Sequence, residues 1–325
     1  MNKITVVIPN YNGIKYMETC LTALYAQEKN TPDFGVLVVD NASKDGSVEL
    51  IQEKFPRTGL ILLQENTGFC HAVNVGIKKA DSPYVILLNN DTKVEKNFIK
   101  ALYEAIEARK NCFSVSSKML MWDKPELVDD AGDRYCAFGW AYARGKGKRA
   151  EKYDNAAEVF AACGGASIYR KAVFEKIGLF DENHFAYLED IDIGYRARIY
   201  GYKNYYEPKA SVLHYGSAST GSRYNERKTD LAAANSVYLI SKNMPFLQWL
   251  LNLPFLLTGF LVKTLFFCKK RMGILYVKGL WRGIKLSLSQ KGRQNKVPFR
   301  WQHLGHYFAI QWQLYVNLFR IIMKT

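Results

Sequence analysis

The chain has 325 residues, 48% of them apolar, which excludes wholesale disorder and leaves room for one large domain or two. Its net charge of +15 is unevenly held: no Asp or Glu follows Asp230, whereas fourteen Lys and Arg do, leaving 31 basic and 30 acidic groups before that point. Six widely spaced cysteines lack the tight pairs of a zinc site and the density of a disulfide scaffold, and so predict reduced thiols in a cytosolic setting.

The amino terminus enters a strand at Ile4 without a long apolar run and cleavage site, so no secretion signal is expected. Ile4 to Ile8 reads as a buried strand stopped by Pro9-Asn10-Tyr11-Asn12-Gly13, and Met17, Cys20, Leu21, Leu24 and Tyr25 recur at helical spacing after it. Gly35 to Asp40 repeats the strand, with a helix expected near Val48 to Phe55. Leu60 to Leu63 and residues 70 to 80 give a third strand and helix. Tyr84 to Leu88, five residues without polar alternation, is a fourth strand buried on both faces, and Glu95 to Lys110 a further helix.

Strands alternating with helices at this interval imply a parallel, twisted sheet covered on both faces. Polar residues then fall at four successive strand ends: Asn10 and Asn12, Asp40 and Asn41, Asn66, and Asn89-Asn90-Asp91. Any one of these would serve as an ordinary turn. Four together point to a nucleotide-type ligand outside the carboxyl ends of the strands, where a carboxylate suits a hard cation carrying phosphate.

These segments, from Val6-Val7-Ile8-Pro9-Asn10-Tyr11-Asn12 through Asp40-Asn41-Ala42-Ser43 and Asn66-Thr67-Gly68-Phe69 to Leu88-Asn89-Asn90-Asp91, resemble the donor half of a family 2 glycosyltransferase in its rhamnosyltransferase-like branch. The resemblance covers about residues 3 to 220. It implies the GT-A fold, α/β with a Rossmann-like, mostly parallel central sheet between helices. It also implies that Pro9 and Tyr11 line the nucleoside, that Asp40 accepts the imide N–H of a uracil or thymine ring, and that Asn66 and Gly68 close over base and ribose. Asn89 and Asn90 would bind the donor, and Asp91 a divalent cation, Mg2+ or Mn2+. The family's usual Asp-x-Asp begins here with Asn89, an amide that hydrogen-bonds but adds no charge.

Residues 122 to 160, with the basic run Arg144 to Arg149, show no clean periodicity and read as a long excursion over the sheet. Gly164 and Gly165, before a strand-like continuation, allow backbone to approach a sugar closely. Carboxylates at 181, 189, 190 and 192 are costly to gather unless cations or chemistry use them. Helical spacing puts Asp190, Ile193 and Arg196 or Ala197 on one face, bringing a carboxylate near a guanidinium. Tyr187-Leu188-Glu189-Asp190-Ile191-Asp192 resembles the family's Glu-Asp-x-Asp motif, which makes Asp190 the catalytic base beside Glu189. Acceptor binding is assigned to Gly164, Gly165, Asp192 and Arg196. Neighbouring carboxylates would raise the pKa of Asp190 and a helix N-terminus would lower it. His214, by the same resemblance, binds the metal or the donor diphosphate, and Ser217 to Arg223 form a loop closing on the donor.

Two regions are expected: a catalytic domain over 1–230, divided near 121 and 122 into donor and acceptor halves, and a cationic helical region over 231–325. Asn243 to Val262 is uncharged for twenty residues, long enough for a membrane span. Basic flanks on both sides favour a re-entrant or in-plane helix. Ile274, Val277, Trp281, Ile284 and Leu288 form a stripe beside Lys278, Arg282 and Lys285, the make-up of an interfacial helix. A second uncharged run spans Trp301 to Phe319. Long apolar runs favour an anionic membrane surface over nucleic acid as the partner of this charge.

The expected activity is inverting, metal-dependent transfer of one sugar from a nucleotide-diphosphate donor to a lipid-linked or polysaccharide acceptor in cell-surface glycan synthesis. Its expected place is the cytoplasmic face of the membrane, with peripheral or monotopic attachment. The alternative is a non-catalytic membrane-bound subunit that binds sugar nucleotide or glycan. A processive synthase would carry Gln-x-x-Arg-Trp, where this chain has Val297 before Arg300-Trp301. Oligomeric state is left open.

Overall fold

Unbroken apolar segments become buried strands in a computed structural model that describes residues 2–216 and 225–323. The donor half runs β1 (Ile4–Asn10), α1 (Ile14–Tyr25), β2 (Phe34–Asp40), α2 (Ser47–Lys54), β3 (Gly59–Leu62), α3 (Phe69–Lys79), β4 (Tyr84–Leu88), β5 (Thr92–Val94) and α4 (Phe98–Glu107). β3, β2, β1 and β4 pair in parallel, with Asn10 opposite Asp40 in register, so the polar strand ends come to one edge as expected. One apolar layer packs α1 and α4 beneath the sheet, and α3 covers the other face.

The sheet continues through β6 (Cys112–Met121), β7 (Lys124–Asp130), β10 (Ala157–Val159) and β11 (Ala166–Arg170), while β8 (Asp133–Tyr135) and β9 (Ala141–Ala143) form a separate small hairpin. α5 (Lys171–Ile177), α6 (Glu189–Ile199) and β12 (Lys203–His214) follow. β11 enters antiparallel between β4 and β6, and β12 lies parallel to β6. Residues 122 to 160 are therefore less irregular than expected. Their strands are only three to seven residues long, too short to carry a clear periodicity.

The helical region comprises α7 (Glu226–Asn243), α8 (Phe246–Lys269), α9 (Gly273–Leu288), α10 (Gln290–Gln294) and α11 (Leu304–Ile322). The expected boundary at 230 falls inside α7, one continuous helix whose inner face is buried against the catalytic half. Residues 217 to 223, expected to close on the donor, lie outside the described residues.

α8 is the one helix among the described residues long and apolar enough to cross a membrane by length and composition. Its polar positions turn inward. Asn252 and Gln311 of α11 exchange two amide hydrogen bonds (2.7 and 2.9 Å), and Tyr195 Oη of α6 donates to Gln248 Oε1 at 2.6 Å. In α9 the buried positions are Gly273, Tyr276, Gly279 and Gly283, while Ile274, Val277, Trp281, Ile284 and Leu288 face outward. With Leu257, Leu261 and Leu265 of α8, and Phe308, Trp312 and Phe319 of α11, they leave the helical region with an exposed apolar exterior.

Candidate active site

The donor edge is a hydrogen-bonded lattice of the predicted strand-end residues. Asn10 Nδ2 donates to Asp40 Oδ2 (2.7 Å) and to Ser47 Oγ (2.9 Å), and Asn90 Nδ2 donates back to Asn10 Oδ1 (2.7 Å). Asp40 also accepts from the Ser43 N–H at 2.8 Å and is only 1% exposed. It forms the floor of this edge, fixed by Asn10, a residue to which the sequence assigned no separate role. Gly13 closes the lattice, because a Cβ there would fall 2.1 Å from the Asn90 amide.

Tyr11 is 40% exposed above this floor and Pro9 is half-buried beside it. Asn66 Oδ1 accepts from the Gly68 N–H (3.0 Å), shaping the turn into α3. Gly68 has φ +88°, and a Cβ there would strike the Phe185 ring at 2.6 Å. Asn41 holds the same turn by accepting from Thr67 Oγ1 at 3.1 Å.

At the end of β4, the Asn89 N–H donates to the Gly165 carbonyl (2.8 Å), joining the donor edge to β11. Asp91 follows, and the pairing of β5 with β12 carries His214 to it. His214 Nε2 lies 3.3 Å from Asp91 Oδ1, while Nδ1 lies 2.8 Å from Asp129 Oδ2. Lys146 from the basic run reaches the other Asp129 oxygen at 2.5 Å. Burial works against charge on His214, yet Asp129 and Asp91 together raise its imidazole pKa to about 9. Asp129 was missed in the sequence. It sits at the end of β7, where a carboxylate beside another carboxylate, Asp130, was the available signal.

The donor set fits a divalent cation. A buried carboxylate faces an imidazole nitrogen whose ring partner is oriented by a second carboxylate, the arrangement by which proteins fix a metal-binding histidine tautomer. Asn89 sends its backbone toward Gly165 and contributes no charge.

The base candidate comes from α6. Leu188 enters α6 with φ +66°, and Asp190 Oδ1 accepts from the Gly164 N–H at 3.0 Å. A Cβ on Gly164 would lie 2.7 Å from that oxygen, so glycine is required for the approach. Burial, and then the Glu189 charge, pushes the Asp190 carboxyl well above the ordinary carboxylate range. Burial also raises Glu189, opposed by hydrogen bonding of its own backbone. The opposing effects of neighbours and helix terminus expected from sequence thus resolve upward.

Nearby, the side chains of Asp130, Asp133 and Cys163 lie within 4.8 Å of one another. Burial, with Asp190 and Glu189 adding to it, raises Asp133 to about 8. Sequence reading gave these three no role.

Two assignments are corrected. Asp192 is fully buried and Arg196 nearly so, and they pair with each other at 2.7 Å rather than facing an acceptor. Asp192 also receives Lys242 Nζ (2.9 Å) and Asn243 Nδ2 (2.8 Å). Arg196 donates to the carbonyls of Ile177, Gly178 and Leu179. The expected proximity of Asp190 and Arg196 fails because the i,i+4 partner, Asp192, takes the guanidinium. Gly165 lies against Asn89 and Met119, and Gly164 against Asp190 and Phe69.

The family model described as "Glycosyl transferase family 2" matches residues 5–178, more than half of the chain. The chain belongs to glycosyl transferase family 2. The chain is 27% identical over 243 residues to N-acetylglucosaminyl-diphospho-decaprenol L-rhamnosyltransferase of Mycobacterium tuberculosis, covering 67% of this chain and 78% of the relative. It is also 24% identical over 226 residues to poly-beta-1,6-N-acetyl-D-glucosamine synthase of Staphylococcus aureus, covering 69% and 52% of the two chains.

Solved structures support the GT-A fold. One is GalNAc-T7 with UDP, GalNAc and Mn2+, at TM-score 0.60 and 15% identity, covering 74% of this chain and 48% of that one. Another is the mannosyltransferase PcManGT from Pyrobaculum calidifontis with GDP-Man and Mn2+, at TM-score 0.53 and 17% identity, covering 96% and 87%. This family 2 member is a glycosyltransferase of cell-surface glycan synthesis.

Proposed function

We propose that this chain transfers one sugar, with inversion, from a nucleotide-diphosphate donor to a lipid-linked or polysaccharide acceptor. The observation that carries this reading is Asp190, anchored by the Gly164 N–H next to Gly165, whose carbonyl takes the Asn89 N–H at the end of β4. A base held beside the donor edge suits direct displacement at the anomeric carbon, which inverts it.

Asp190 takes the proton of the acceptor hydroxyl as the new bond forms, a role for which a carboxyl held above the ordinary carboxylate range is a stronger base than an ordinary one. Tyr11 and the turn at Asn66 and Gly68 hold the nucleoside over the Asp40 floor. Asp91 and His214 hold a divalent cation, Mg2+ or Mn2+. When bound, that cation offsets negative charge on the donor diphosphate. Similarity to a relative named for rhamnosyl transfer supports deoxythymidine-diphosphate rhamnose as donor, with uridine-diphosphate sugars as the alternative.

The outward apolar faces of α8, α9 and α11, with fourteen basic and no acidic residues after Asp230, support peripheral or monotopic attachment to the anionic cytoplasmic face of the membrane. Calorimetric titration with nucleotide diphosphate, paired with a product assay on lipid-linked acceptors, tests the activity. Asp190→Asn is expected to abolish transfer while nucleotide binding survives. Full transfer by that variant sinks the base assignment, and binding without turnover by the wild type favours a non-catalytic binding subunit.

A further inference from the structure

The four residues entering α6 hold an uncommon backbone. Phe185, Tyr187 and Leu188 have φ of +60°, +72° and +66°, left-handed values that non-glycine residues adopt only where their surroundings impose them. The chain must take this path to deliver Asp190, the second residue of α6, to the Gly164 N–H.

One side chain meets three of its carbonyls. Asn235, in the middle of α7 and 2% exposed, directs its Nδ2 at three carbonyls of this loop: His184 (2.9 Å), Ala186 (2.9 Å) and Tyr187 (2.8 Å). The remaining carbonyls point elsewhere. Phe185 O accepts from the Cys70 N–H on the donor side, and Leu188 O accepts from the Asp192 N–H in the first turn of α6. The loop is thus fixed between the Gly68 turn of the donor edge and the amide of Asn235. Two turns further along α7, Lys242 and Asn243 grip Asp192, so α7 holds the chain both before and after Asp190.

We propose that Asn235 is a positioning residue for sugar transfer: its amide keeps residues 184–188 in the left-handed path that aims Asp190 at the acceptor. This rests on the reading of Asp190 as the base. Asn235 touches neither substrate, and acts through three loop carbonyls. Its amide bonds to none of Asn10, Asp40 and Asn90; the loop it holds meets the donor side where Phe185 packs on Gly68 and accepts from the Cys70 N–H, a contact the Asn235 substitutions leave chemically unchanged.

The test compares Asn235→Asp, near-isosteric but without the N–H donors, and Asn235→Ser, which keeps a short hydroxyl donor, with wild type and Asp190→Asn in the full-length protein. Expected for Asn235→Asp are a kcat at least tenfold lower, a nucleotide-diphosphate Kd within about twofold of wild type, and an acid limb of the kcat/KM–pH profile displaced from the wild-type position. Asn235→Ser should recover part of kcat. Wild-type kcat and an unmoved acid limb in both variants, with Asp190→Asn inactive, overturn the positioning role alone. A fully active Asp190→Asn overturns the base reading itself. Loss of nucleotide binding and of the thermal transition in both Asn235 variants marks a purely structural residue and also overturns the proposal.

Discussion

Lys242 Nζ donates to Asp192 Oδ2 across 2.9 Å in the interior, linking the end of α7 to the first turns of the base-bearing helix. The same ammonium reaches Asp181 at 2.7 Å, so one buried cation serves two buried carboxylates, with Arg196 as the second cation. Removing one member of such a group leaves an uncompensated charge, which is far costlier than never having had the pair.

Lys242→Met is accordingly expected to destabilise the fold by about 3–5 kcal/mol, read from denaturant midpoints. Adding Asp192→Asn to it should return part of the loss. Against burial, Arg196 and Lys242 hold the Asp192 carboxyl below the usual range, and Lys242 does the same for Asp181. Their folded pKa values are depressed, so this stabilisation is complete above the unfolded value of about 3.9 and is lost as pH falls through the folded values. The share of wild-type acid unfolding that comes from these two carboxylates should therefore lie below about pH 4, and be smaller in Lys242→Met.

Asp129 touches His214 and Lys146 and lies one ligand away from the cation site. Asp129→Asn is expected to weaken cation activation about 10–100-fold while leaving cation-free nucleotide binding unchanged. Titrating Mn2+ or Mg2+ against transfer rate, alongside calorimetry, measures both. An unchanged cation requirement would mean that Asp129 does not orient His214 for a metal.

The pKa of Asp190, raised by burial and by Glu189, places its useful ionisation above that of a solvated carboxyl. Transfer should rise with pH through a limb lying above about pH 4, because the base must lose its proton before it can accept one. Glu189→Gln removes the charge that helps hold the proton on Asp190, and should move the limb toward lower pH. A kcat/KM profile already flat at pH 4.5 would contradict this placement.

On α9, Trp281→Ser with Ile284→Ser removes the centre of the outward stripe without touching the buried glycine face. Binding to vesicles containing anionic lipid should fall steeply, and raised salt should weaken the wild type as well, each basic group contributing about 1 kcal/mol near such a surface. Sedimentation with vesicles of defined composition reads both effects. Equal binding to neutral and anionic vesicles would argue against the charge contribution.

The donor half was legible because its physics is local. Unbroken apolar runs set the strands, and Asn10, Asp40, Asn66 and Asp91 each follow a strand whose direction the alternating helices dictate. Gly164 was legible as a site of close approach, although not that Asp190 is what approaches. Asp192 was misread because its partner, Lys242, stands fifty residues away on a helix with no sequence signature for that contact, and Arg196 because Asp192, four residues before it, takes its guanidinium. Asp129 was passed over because β7 and its neighbours are too short to show a period. Asn235 reads as an ordinary polar residue in a helix until the loop it faces is known. In α9 the sequence shows an apolar stripe, but only packing reveals that the glycines turn inward and the stripe outward.

The burial of Lys242 changes how membrane attachment has to be studied. A protein shortened before this residue to improve solubility would leave Asp181 without its buried cation and Asp192 with Arg196 alone, and its inactivity would mimic a requirement for lipid. Shortening after it still removes Gln248, which receives Tyr195 of α6, and Asn295, which donates to Asp181. Exchange of surface side chains on the intact chain is the approach that separates anchorage from catalysis.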